Sequence, residues 1–175
     1  MPSNIELKLR VDDLCAVRAR IAELTNNSSP DAYLVQKDIF FKGACGRLKL
    51  RTENGCNNGF LIQYERENKA DAKFCDYIKV PVDNSAALNE ALSRAYGILG
   101  EVNKQRQLWM IGQTRVHIDK VEGLGNFVEL EVLMQPGQPI SEGEEIANSI
   151  VRQLGIEGAE KISCAYMDML LGKSC

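Results

Sequence analysis

Hydrophobic and polar positions along this chain follow two different periods. Four segments repeat apolar residues at steps of three and four, the spacing that gathers them on one side of a helix. The first follows Asp12 and Asp13, either of which can cap it, and aligns Leu14, Val17, Ile21 and Leu24. The second starts at Asn84 or Ser85, carries Leu88, Ala91, Leu92 and Ala95, and stops at Gly97. The third has Ser141 followed by Glu144 at capping-box spacing, then Ile146, Ile150 and Leu154 before Gly155. The last, over residues 160–171, brings Ile162, Tyr166, Met169 and Leu170 together. Each of these amphipathic helices needs a surface to cover.

The segments between them alternate, as pleated strands do. "NIELKLR" puts Ile5, Leu7 and Leu9 on one side and Asn4, Glu6, Lys8 and Arg10 on the other. In "GRLKLR", Arg47, Lys49 and Arg51 oppose Leu48 and Leu50, and in "FLIQYERE", Tyr64 and Arg66 share the face of Phe60 and Ile62. "NKQRQLW" sets Lys104 and Arg106 on one side, and "TRVHIDKV" sets Arg115, His117 and Asp119 against Val116 and Ile118. "FVELEVL" opposes Glu129 and Glu131 to Val128, Leu130 and Val132. The breaks, such as "TENGCNNG" and "QPGQP", are short polar turns and not linkers, so residues 1–175 are expected to form a single domain.

Any one of these strands reads as half-buried, with its charged side in bulk water. Their sum favours another arrangement. Helices can cover the apolar sides and leave the charged sides to face one another around a closed β-barrel, an α+β fold. An interior rich in cations needs an anion. Glu6, Glu129 and Glu131 add hard oxygen ligands suited to Mg²⁺ or Mn²⁺, which bind through a few carboxylates plus substrate phosphates. A polyphosphate ringed by lysine and arginine, with a divalent ion bridging it to glutamates, is an arrangement for phosphoryl chemistry on a triphosphate.

Composition narrows the field. With 175 residues and 45% hydrophobic content the chain can fill one core, and a net charge of −3 gives no support for a nucleic-acid or anionic-membrane partner. Six cysteines without a C-x-x-C pair, and His117 as the only histidine, argue against a structural zinc site. No apolar run approaches membrane-spanning length, and the start of the chain lacks an apolar leader segment, so a soluble, reduced, cytoplasmic protein is expected. "GLGNF" precedes a strand and lacks the third glycine of a dinucleotide fingerprint, and no P-loop occurs. His117 reads as a hydrogen-bonded wall residue, with no Ser or Cys nucleophile beside it in sequence.

In order and spacing these motifs resemble the CYTH family, the triphosphate tunnel metalloenzymes, over most of the chain. The family's E-x-E-x-K strand is matched by "NIELK", its K-D-x-[FY] strand by "QKDIFF", and its R-x-K/R-x-R strand by "GRLKLR". Its K-x-R is matched by Lys104 and Arg106, its D-x-x-x-G-L-G-x-F-x-E-x-E strand by Asp119 to Glu131, and its terminal S-Y-x-D-L-L helix by "SCAYMDMLL".

The resemblance implies a tunnel of about eight antiparallel strands that holds a triphosphate with basic side chains, and Mg²⁺ or Mn²⁺ with glutamates. It implies Glu6, Glu129 and Glu131 as metal ligands. It implies Lys8, Lys37, Arg47, Lys49, Arg51, Arg66, Lys104, Arg106 and Arg115 as phosphate-binding, Arg66 standing where the family often has lysine. Catalytic roles fall to Lys8 and to Asp119, which is expected beside the metal, orienting a basic residue or a water. Asn4 replaces the first glutamate of E-x-E-x-K by a neutral amide, a start also seen in cyclase-like members.

The reaction expected is class IV adenylyl cyclase-like, ATP giving cyclic AMP and pyrophosphate. The alternatives are a triphosphatase acting on tripolyphosphate, a nucleotide or thiamine triphosphate, and a non-catalytic polyphosphate binder. Cyclase-like relatives further suggest a homodimer.

Overall fold

The computed structural model describes residues 3–66 and 70–173, apart from the side chain of Arg66. Strand β1 (Ser3–Arg10) is followed by α1 (Leu14–Thr25), then by β2 (Ala32–Phe41), β3 (Arg47–Glu53), β4 (Gly59–Arg66) and β5 (Lys73–Val82). Helix α2 (Ser85–Tyr96) leads to β6 (Ile98–Ile111), β7 (Thr114–Val121) and β8 (Gly125–Leu133). Helix α3 (Ile140–Leu154), the short β9 (Glu160–Lys161) and α4 (Tyr166–Leu170) complete the order. The sheet runs β5-β4-β3-β2-β6-β7-β8-β1, and β5 pairs with β1 to close it into an eight-stranded antiparallel barrel, with β9 added beside β1.

The alternation in sequence becomes an inside and an outside. On the outer face Ile5, Leu7, Leu9, Val116, Val128, Leu130 and Val132 are all fully buried, because α1 and α3 lie over them with Val17, Ile21, Ile150 and Leu154. Helix α2 covers β2 and β3 through Leu88 and Leu92 against Ile39, Phe41 and Leu50. No helix among the described residues is long and apolar enough to cross a membrane.

The interior is not wholly charged. Phe40, Ile62, Tyr64, Val102 and Phe127 from the barrel join Ile162, Cys164, Tyr166 and Met167 from the C-terminal segment in a second apolar cluster. The tunnel is thus charged along part of its length and packed with apolar side chains beside it.

Caps explain most helix ends. Asp13 accepts from the N–H groups of Cys15 and Ala16 to start α1, Asn84 accepts from Ala87 N–H to start α2, and Gly155 at φ +68° ends α3. Two expectations are corrected. Helix α3 starts earlier than the Ser141 capping box predicts, after Pro139 and with no side-chain cap. The helix expected over residues 160–171 is instead strand β9, an extended link and the five-residue α4. Its backbone is claimed elsewhere: Ile162 N–H donates to the Lys8 carbonyl, and the buried Lys73 ammonium donates to the carbonyls of Ile162 and Ser163. Those acceptors are therefore withdrawn from a helical ladder. Cys15, Cys45, Cys56 and Cys75 are free thiols but Cys164 is disulfide-bonded, so the reduced state expected from the absence of a leader segment and of a membrane-spanning run does not hold there.

Close approach of α3 to the barrel depends on Gly143. A Cβ there would stand 2.7 Å from Ile5 Cγ1 and 2.6 Å from Met134 Sδ, and Ile5 is fully buried. Gly143→Ala is expected to destabilise the protein by ~1–3 kcal/mol through overpacking, seen as a lower urea midpoint with unchanged slope; an unchanged midpoint would mean that α3 can shift without cost.

Candidate active site

Inward positions of all eight barrel strands converge on a cavity of about 190 Å³. It is smaller than the ~300–1,000 Å³ common for drug-sized ligands, which suits a compact anion. Among the described residues its wall carries seven basic side chains (Lys8, Lys49, Arg51, Lys79, Lys104, Arg106, Arg115) and four acidic ones (Glu6, Asp38, Glu129, Glu131).

One wall is organised by Asp38 of β2. Arg51 donates to both its oxygens at 2.6 and 2.7 Å, Lys49 donates at 3.0 Å, and Lys104 lies at 3.6 Å. Burial pushes the Asp38 carboxyl up, but the fields of Arg51, Lys49 and Lys104 outweigh it and hold the group well below the carboxylate range. Lys104 responds in the opposite sense. Its burial, reinforced by repulsion from Arg106 and Arg51, outweighs attraction to Asp38 and Asp119 and brings the ammonium down to about 7.

The facing wall is acidic. Across the β1–β8 ladder Glu6 stands opposite Glu131, and Lys8 opposite Glu129. Arg106 donates to Glu129 at 2.6 Å, the Lys8 ammonium lies 3.6 Å from Glu129, and Arg115 donates to Glu131 at 3.4 Å. Burial raises Glu129, yet Lys8, His117 and Arg106 hold it well below its usual value. Glu131 is also lowered, burial and Glu129 opposing the pull of His117, Arg106 and Arg115.

Behind these walls Asp119, fully buried, receives the Arg106 guanidinium at 2.7 and 2.6 Å and the Tyr166 hydroxyl at 2.8 Å. The same Tyr166 ring lies 3.8 Å from the Lys8 ammonium, a cation–π contact that ties α4 to β1. Asn4 also lines the cavity, 3% exposed, with its Oδ1 lacking a hydrogen-bond partner.

Most of the residues expected from sequence therefore meet in one place. Lys8, Lys49, Arg51, Lys104, Arg106 and Arg115 line the cavity with Glu6, Glu129 and Glu131, and Asp119 backs it. Lys37 does not join them. Parity turns it outward, where it pairs with Glu101 at 2.8 Å, and gives the inward position to Asp38. Arg47 sits in a neighbouring pocket, bound to Asp168 at 2.6 Å. Arg66, as a side chain, lies outside the described residues.

Sequence reasoning missed Asp38, Tyr166 and Lys79. The signal for Asp38 was its alternation with Phe40 in "QKDIFF", and for Lys79 the run Lys73, Cys75, Tyr77, Lys79 in "KFCDYIKV". The G-x-G of "GLGNF" forms the β7–β8 turn, with Gly123 and Gly125 at φ +76° and +99°.

A closed antiparallel barrel with a basic wall and a carboxylate wall facing one cavity defines a tunnel for a polyanion. The chain matches the CYTH domain family model over residues 3–166, and it belongs to that family. The family is metal-dependent in general, and the carboxylates of Glu129 and Glu131, hard oxygen donors close enough to share an ion, fit a divalent cation; Glu6 lines the same cavity opposite Glu131 in the ladder but lies outside that cluster. The chain is 22% identical over 170 residues to adenylate cyclase CyaB of Aeromonas hydrophila, covering 93% of this chain and 86% of that protein. In fold it is similar to the PH1012 protein of Pyrococcus horikoshii OT3, with a TM-score of 0.81 and 23% identity over 94% of this chain and 98% of that one. The PH1819 protein of the same organism gives a TM-score of 0.74 and 23% identity over 98% and 99%.

The depressed Lys104 has a measurable consequence. At pH 8 an amine with a pKa of about 7 is roughly nine-tenths neutral, and a bound polyanion restores its charge. Tripolyphosphate binding at pH 8 should then take up close to one proton more in the wild type than in Lys104→Met, by calorimetry in buffers of different ionisation enthalpy. Equal uptake by both proteins would place Lys104 out of the anion's reach. The stability sign follows too: the unfolded chain keeps this proton to higher pH, so the Lys104 contribution rises as pH climbs above about 7.

Proposed function

We propose that this chain is a divalent-metal-dependent enzyme of the class IV adenylyl cyclase type, working in the cytoplasm and converting ATP to cyclic AMP and pyrophosphate. The observation that carries this reading is the cavity wall, seven basic and four acidic side chains among the described residues, with the carboxylates of β1 and β8 together on one side. The cyclase version of the reaction draws on the relative named adenylate cyclase CyaB.

In this reading Lys49, Arg51, Lys104, Arg106 and Arg115 hold the phosphoryl oxygens, and Lys8 adds a charge beside Glu129. The remaining guanidinium donors of Arg51, beyond the two that Asp38 accepts, are free to serve the anion. Glu6, Glu129 and Glu131 would hold Mg²⁺ or Mn²⁺. Bound there, the ion supplies Lewis-acid neutralisation of charge on phosphate oxygens.

The ribose 3′ oxygen bonds to the α-phosphorus while the α-phosphorus to bridging-oxygen bond breaks. Pyrophosphate leaves with the bonding pair, and the 3′-hydroxyl proton is released. Basic side chains fixed in advance stabilise the charge that grows on the leaving group. Asp119 acts through Arg106: it accepts from Nε and Nη2 of the guanidinium and from the Tyr166 hydroxyl, so it is a positioning residue. Lys37 and Arg47 are left out of the phosphate set, and Arg66 stays in it by motif.

Asn4 favours a second reading, a polyphosphate binder, because a neutral amide stands where the family motif has a carboxylate. Chromatography of products from ATP, tripolyphosphate and thiamine triphosphate with Mg²⁺ or Mn²⁺ separates the possibilities. Cyclic AMP with pyrophosphate is the expected result. Orthophosphate would instead make the chain a triphosphatase, and binding without turnover a binder. Glu129→Gln should reduce metal-dependent turnover at least a hundredfold, ~2.7 kcal/mol of transition-state stabilisation, with the folded circular-dichroism spectrum kept at 25 °C and a lower melting temperature, because Arg106 and Lys8 lose a buried counter-charge; full activity in that variant would remove Glu129 from the site.

A further inference from the structure

His117 is the single histidine of the chain and plays no part in the reading above. It points inward from β7, opposite Glu129 in the β7–β8 ladder, and is 4% exposed. Its Nδ1 is buried and has no hydrogen-bond partner. That nitrogen lies 3.6 Å from Glu131 Oε1 and 3.8 Å from Glu129 Oε2. Both distances exceed the ~2.7–3.2 Å of a hydrogen bond, so the imidazole is aimed at the carboxylates without bonding to either.

The spacing suits a shared ion better. Ligand atoms of His117, Glu129 and Glu131 all lie within 4.8 Å of one another. An ion with nitrogen and oxygen ligands at ~2.0–2.2 Å keeps neighbouring ligand atoms roughly 3.0–3.6 Å apart, close to the two separations seen here. A buried imidazole nitrogen without a partner is costly in a closed interior, and a metal ion relieves that cost while using the carboxylates on either side. Hard Mg²⁺ prefers oxygen ligands and retained water, whereas imidazole suits borderline transition ions.

We propose that His117 Nδ1 joins Glu129 and Glu131 as a third protein ligand, giving the tunnel a mixed nitrogen and oxygen donor set that favours a borderline transition ion over Mg²⁺. This rests on the carboxylate metal site of the proposed function and deepens it. The ion's remaining positions stay available to phosphate oxygens and water.

Co²⁺ is the probe, with Mg²⁺ as its oxygen-loving counterpart, on protein carrying no histidine tag. Because the chain has one histidine, a strongly shifted, exchangeable imidazole N–H resonance in the proton spectrum of the Co²⁺ form can come only from His117. Wild-type protein is expected to show that signal. His117→Gln should lose it and bind Co²⁺ at least tenfold more weakly, with Mg²⁺ affinity unchanged within twofold, by calorimetric titration. Preference for Co²⁺ alone proves nothing, since oxygen-only sites share it; the signal and the selective loss are the readouts. Co²⁺ bound without the signal and equally well by His117→Gln would overturn the inference and leave the glutamate site standing. Wild-type protein that binds Co²⁺ and Mg²⁺ no better than Glu129→Gln would remove the metal site itself, and this inference with it. The wild-type spectrum decides ligation even if the variant folds poorly.

Discussion

Putting a ring of charged side chains inside a closed barrel is the constraint on which the rest of this structure depends. Each buried charge must find an opposite charge or a ligand, because desolvation otherwise drives it to its neutral form or destabilises the fold. Asp38 shows the scale of the problem. It is 2% exposed and serves Lys49 and Arg51 directly, with Lys104 just beyond hydrogen-bonding range. Those cations outnumber it, and Lys104, lowered first by its burial and then by repulsion from Arg106 and Arg51, holds its proton less tightly than a free lysine. Under the proposed function a polyanion would supply the charge that the protein leaves out.

The fold meets this constraint by dividing its two faces. Alternating strands send apolar side chains outward to α1, α2 and α3 and charged ones inward, so the hydrophobic core lies outside the barrel wall. The C-terminal segment then enters from one side. Tyr166 seals part of the interior, packs on Phe127, and locks Asp119, which in turn fixes the Arg106 guanidinium. Stability and site geometry therefore share the same residues: the contacts that finish the second apolar cluster also hold the cavity-lining Arg106 in place.

Much of this was legible in sequence because alternation is a strong signal when one face is covered by helices. "GRLKLR" and "FVELEVL" specify the inward face, and Lys49, Arg51, Glu129 and Glu131 meet at the cavity, while Arg47, on the same face, reaches Asp168 in a neighbouring pocket. What failed did so for physical reasons. Lys37 was assigned by motif, while pleat parity hands its place to Asp38. Residues 160–171 carry a helical stripe, but β1 and the Lys73 ammonium take the backbone groups that such a helix would need. Tyr166 was counted on that stripe, so its reach to Asp119 and Lys8 had no signal in local pattern. A lone histidine on a strand predicts a hydrogen-bonded wall residue; His117 is a buried wall residue whose Nδ1 has no such bond.

The central claim, that the barrel interior is completed by a polyanion, is tested most directly by calorimetric titration of tripolyphosphate into metal-free protein at increasing salt. One tripolyphosphate is expected to bind per chain, far more tightly than orthophosphate, and to stay bound at moderate salt because the pairs form in a buried site. No saturable binding, or binding no stronger than that of orthophosphate, would contradict it.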